Sequence, residues 1–80
     1  VIGSKATIRY KLSSDIDRVT LKIFNIVGDM IKEIDGSKKE GYNDMQVNLW
    51  DIAPGIYICQ IIVEKNNERT VFNKKFAIVK

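Results

Sequence analysis

The sequence predicts an all-β fold: a β-sandwich of about seven short antiparallel strands, forming one domain over residues 1–80. Three observations carry this. Apolar and polar residues alternate with period two along most of the chain, and the helical period does not recur. Clusters of Gly, Asn, Asp and Ser separate the alternating runs, as turns between strands require. The one proline, Pro54, falls between two runs, where its missing N–H costs no ladder hydrogen bond.

The first run, Lys5 to Leu12, puts Ala6, Ile8, Tyr10 and Leu12 on one face and Lys5, Thr7, Arg9 and Lys11 on the other, the pattern of a half-buried strand. After the polar turn Ser13 to Asp17, Arg18 to Asn25 buries Val19, Leu21 and Ile23, and Gly28-Asp29 ends it. Met30 to Ile34 is a short strand closed by Asp35-Gly36, followed by a polar loop over Ser37 to Gly41. Asn43 to Leu49 turns Met45, Val47 and Leu49 inward. Ile56 to Lys65 and Arg69 to Val79 form two long strands joined by Asn66-Asn67-Glu68, residues that tolerate the left-handed conformation.

The connector Trp50 to Gly55 leads into Tyr57, Cys59, Ile61 and Val63, which share the inward face. Tyr-x-Cys at this place resembles the tyrosine corner of immunoglobulin-like sandwiches, in which the ring packs inside and the hydroxyl bonds to backbone upstream. The fold class is therefore an immunoglobulin-like or fibronectin-III-like sandwich, and the connector is expected to be a structural corner rather than a functional loop.

Composition restricts function. Eighty residues with 45% hydrophobic and 29% charged content describe one small globular domain. No apolar run is long enough to span a bilayer, so no membrane insertion is expected. The opening Val1-Ile2-Gly3-Ser4 has neither Met nor leader, which suggests a piece of a larger protein. Cys59 stands alone inside an apolar run and is expected to be a buried small hydrophobe.

With no histidine, the commonest general base and zinc ligand are missing. The glycines are isolated turn residues, so no phosphate-cradling loop is present, and Asp15 and Asp17 are expected to form a solvated turn rather than a calcium loop. No enzyme, cofactor or metal is expected. Nor is nucleic acid: basic and acidic residues cancel up to Val63, and Tyr10, Trp50, Tyr57 and Phe76 fall mainly at core positions.

Two surface features stand out. The net charge of +3 lies entirely within Glu64 to Lys80, which suits an acidic partner or an anionic surface. The face of the Ile56 to Lys65 strand opposite Tyr57 carries Ile56, Ile58 and Ile62, and the outward face of the Arg18 to Asn25 strand carries Phe24. If those strands are neighbours, these four residues form an apolar contact patch.

The order "ATIRYKLS", "VTLKIFNIVGDMIKEI", "GYNDMQVNLWD", "APGIYICQI" and "KKFAIVK" resembles the C-terminal sorting domains of the type IX secretion system and the related immunoglobulin-like domain of flagellar hook-capping proteins. By that resemblance, Gly28 corresponds to the glycine of an N-x-x-G turn, Trp50-Asp51 to a W-D pair, Gly55 and Tyr57 to G-x-Y, and Lys74, Lys75 and Lys80 to the basic residues of the final strand. Two features depart from the family. The usual Asn-Pro leader is missing, and Pro54 stands where a small polar residue is more common.

The resemblance implies a non-catalytic C-terminal domain of a secreted bacterial protein, with a passenger domain upstream and a route through the periplasm to the cell surface or medium. The secretion translocon and a sortase-like protease would be its partners, recognising Lys74, Lys75 and Lys80, while Gly28, Trp50, Gly55 and Tyr57 hold the fold. The alternative is an assembly domain that self-associates through a sheet edge or through Phe24, Ile56, Ile58 and Ile62. A carbohydrate-binding sandwich ranks third, since only Phe24, Tyr42 and Phe72 offer exposed aromatics.

Overall fold

A computed structural model describes residues 5–14 and 16–79. Six strands follow in order: β1 (Lys5–Leu12), β2 (Arg18–Asn25), β3 (Met30–Asp35), β4 (Gly41–Asn48), β5 (Gly55–Lys65) and β6 (Glu68–Ile78). The described residues contain no helix. Every pairing is antiparallel, giving a two-stranded sheet β1-β4 and a four-stranded sheet β3-β2-β5-β6. The all-β sandwich is as expected, with six described strands rather than about seven. Each alternating run makes one strand, and the long connectors 36–40 and 49–54 add none.

Alternation explains the core. β4 buries Met45 and Val47 and β2 buries Val19, Leu21 and Ile23, with Leu12, Leu49, Ile52, Tyr57, Cys59 and Ile78 in the same cluster. Ala6, Ile8 and Tyr10 of β1 pack against it from one side, and Ile34, Ile61, Val63 and Phe76 from the other. Fully burying one such aliphatic side chain stabilises by about 1.5–3 kcal/mol, so this one layer supplies most of the driving force.

Local chemistry sets the turns. The Asn25 side-chain oxygen accepts hydrogen bonds from the Val27 and Asp29 amides at 3.1 and 2.9 Å, and Gly28 N–H donates to the Asn25 carbonyl at 3.0 Å. Gly28 has φ +93°, a conformation that L side chains rarely adopt. Together these residues reverse the chain between β2 and β3. Between β5 and β6, Asn66 and Asn67 both have positive φ, 50° and 65°, the geometry of a two-residue turn matched to strand twist. The Asp17 carboxylate accepts the Asn66 amide at 2.8 Å and ties this hairpin to the β1–β2 loop.

Gly36 meets a different requirement. A Cβ there would lie 2.7 Å from the Tyr10 hydroxyl oxygen, 3.2 Å from Val19 Cγ1, and against the end of Met45. Its N–H donates to the Val19 carbonyl, and the Tyr10 hydroxyl donates to the Ser37 carbonyl, so the β3–β4 connector lies tight across the sandwich.

Candidate recognition surface

Among the described residues β6 has a partner strand, β5, on one side only. Its registers with β5 place Lys74 opposite Cys59 and Lys75 opposite Ile58. Because side chains alternate along a strand, Lys74 shares the inner face with Phe72 and Phe76, and Lys75 lies on the outer face with Val71. Both lysines are exposed. Lys80 lies outside the described residues, as does Asp15 of the considered calcium turn.

β2 and β5 are neighbours, so the condition set by the sequence is met. Phe24 stands opposite Ile58, and the outer row runs Met30–Phe24–Ile58–Lys75. Ile58, Ile56 and Met30 are exposed, and Phe24 is half-buried. Ile62 requires correction as an interface candidate, because it is only 2% exposed. It pairs with Thr20 and Val71, and Thr20 is buried too. The outer face is covered where Thr20 and Ile62 stand side by side and open where Phe24 and Ile58 do, a difference the sequence does not display.

Trp50 requires a second correction. It is 67% exposed and not a core residue. Leu49 and Ile52 enter the core on either side of it, and the Ile52 amide closes the turn by donating to the Leu49 carbonyl at 3.0 Å, which turns Trp50 outward. Tyr57 lies inside, its ring 6.0 Å from that of Phe76, and its hydroxyl donates to the Ala53 carbonyl at 2.6 Å. Gly55 opens β5 two residues before it.

Arg9 and Asp44 form a two-point ion pair across β1 and β4, which holds the Asp44 carboxyl below its ordinary range chiefly through the Arg9 hydrogen bond. Burial pushes the Cys59 thiol up, and nearby Lys74 offsets this only in part. A protonated, buried thiol is a poor nucleophile. Among the described residues, no group of three or more His, Cys, Asp or Glu is placed to hold a metal. Among the described residues no helix is long and apolar enough to cross a membrane.

Sequence reasoning missed Asn25, Gly36 and one cavity. A groove of about 510 Å³ opens between β1 and the β5–β6 hairpin, over Ile61, Phe72 and Phe76. The N-x-x-G spacing held a signal for Asn25. Nothing local announced the groove, since it depends on how far one sheet covers the other.

These features define a small antiparallel sandwich whose last strand carries two exposed lysines. The family model of the secretion system C-terminal sorting domain matches residues 3–79, and the chain belongs to that family. This is the type IX sorting family, which marks proteins that are secreted or attached to the cell surface. The match supports the sorting half of the resemblance and lends none to the hook-capping half. Neither the curated proteins nor the solved structures contain a match.

Proposed function

We propose that this chain is the non-catalytic C-terminal domain of a larger secreted bacterial protein, read by outer-membrane secretion machinery through its basic last strand. The observation that carries this reading is that Lys74 and Lys75 are exposed on a strand whose outer edge has no partner strand among the described residues. Family membership supports the existence of a passenger domain upstream and of a translocon that recognises the domain. Lys80 extends the same basic segment.

The test is surface display of a reporter fused to the domain in a bacterium with type IX secretion. Deleting residues 73–80 is too blunt, because it removes the buried Ile78 and with it part of the core. Lys74→Glu and Lys75→Glu keep the fold and reverse the charge. Loss of display with a normal unfolding transition supports the reading, and full display of the double variant overturns it.

The outer-face row supplies a second reading, self-assembly through Phe24, Ile56 and Ile58. The pairing of Phe24 with Ile58, flanked by exposed Met30, favours it. Sedimentation of Ile58→Lys against the parent chain distinguishes the two readings: assembly lost in the variant supports this one, and a monomer at high concentration in both removes it.

A further inference from the structure

The two sheets are unequal. With strands about 4.8 Å apart, four span about 14 Å from axis to axis and two span about 5 Å, so β1-β4 cannot cover its partner sheet. The groove shows which side is left open. β1 borders it with Ile8, Cys59 and Ile61 lie within it, and Phe72, Lys74 and Phe76 of β6 line the far wall. Phe72 is 59% exposed although it lies on the inner face, in register with Ile61. Among the described residues β1 has a partner strand, β4, on one side only, so its other edge presents backbone groups to the groove.

We infer that the free edge of β1 accepts one extended strand from an acidic partner protein. Added there, the strand becomes the third of the small sheet. Its inward side chains are apolar and lie over Ile61 and Phe72, filling the groove. Its outward side chains are carboxylates, because on that face their neighbours are Lys5 and Lys11, with no acid in β1 and with Arg9 between them already paired to Asp44 of β4. Charge also chooses the occupant. A second copy would set this basic strand against another like it, or against β6 with Arg69, Lys74 and Lys75 and only Glu68 to offset them, and like charges on paired strands repel; the acids of its other two edge strands are already matched, Glu33 and Asp35 of β3 by Lys22 and Arg18, and Asp44 of β4 by Arg9. The inference deepens the sorting reading by giving the partner's recognition segment a chemistry and a position.

The probe is a capped eight-residue peptide alternating valine and glutamate, compared with one alternating valine and lysine. Binding to the purified chain is followed by fluorescence anisotropy and by amide hydrogen exchange. The glutamate peptide is expected to bind at low salt and to slow exchange at alternate residues of β1. Phe72→Asp, and separately the pair Lys5→Glu and Lys11→Glu, are expected to weaken it by about tenfold or more, while Lys39→Glu, exposed in the β3–β4 connector away from the groove, leaves it unchanged. Three results overturn the inference: no binding, equal binding of the lysine peptide, or protection that falls on a strand other than β1. A concentration-dependent dimer protected at β1 also overturns it, in favour of a second copy. Peptide binding kept while Lys74→Glu with Lys75→Glu displays normally sinks the sorting reading alone; peptide binding lost while display depends on those lysines sinks this one alone.

Discussion

The Tyr57 hydroxyl donates a 2.6 Å hydrogen bond to the carbonyl of Ala53, four residues upstream across Pro54 and Gly55. That bond fixes the corner between β4 and β5, since the ring is held in the core and the connector is fastened to it. Tyr57→Phe keeps the packing and leaves the Ala53 carbonyl without this donor. The expected cost is about 1–2 kcal/mol, read as a lower urea midpoint with an unchanged slope.

Gly36→Ala tests the close passage of the β3–β4 connector. The added methyl meets the Tyr10 hydroxyl, Val19 and Met45, and the tyrosine is itself held by Ser37. A loss of about 1–3 kcal/mol in chemical unfolding is expected, with Tyr10→Phe in the same background recovering part of it by removing the clashing oxygen.

Asn25→Ala removes two acceptor contacts from the β2–β3 turn. Thermal unfolding is expected to show a loss of about 1–2 kcal/mol, and amide exchange at Val27 and Asp29 is expected to speed up more than exchange in β5.

The strand runs were legible because alternation is a local signal. β1 and β2 fall within the expected boundaries, and β4, expected at Asn43 to Leu49, begins two residues earlier at Gly41. The tyrosine corner was legible too, since Tyr57 follows the connector at the spacing its hydroxyl needs. What stayed hidden depends on what covers each face. Ile58 and Ile62 share a face and each has a strand on both sides, yet only the first is exposed, because the outer face is covered at the Thr20–Ile62 end and open at the Phe24–Ile58 end. Trp50 was hidden differently: a large aromatic beside core residues reads as core, and only the Leu49–Ile52 turn sends it outward.

The two isoleucines therefore predict opposite outcomes for one substitution. Ile62→Lys forces an ammonium into a site 2% exposed and is expected to unfold the domain, costing about 3 kcal/mol or more. Ile58→Lys is expected to stay within about 0.5 kcal/mol of the parent. Far-ultraviolet circular dichroism and a thermal melt of each variant check this.

Cys59 predicts a pH dependence. Burial raises its folded-state pKa, so the folded chain holds the thiol proton more tightly than the unfolded chain does. The associated stability is complete below the ordinary thiol pKa of about 8.5 and is lost as pH rises through the raised folded value. Unfolding free energy measured across alkaline pH is expected to fall more steeply in the parent than in Cys59→Ala.

Lys74 and Lys75 are adjacent letters in the sequence and opposite directions in space. A partner that docks flat on one face of the sheet meets only one of them from that side. Any receptor that counts the pair as a single mark has to close around the rim of β6 like a clip on a card, with one jaw on each side. Moving either lysine by one position along the strand keeps the composition and hands its charge to the wrong jaw.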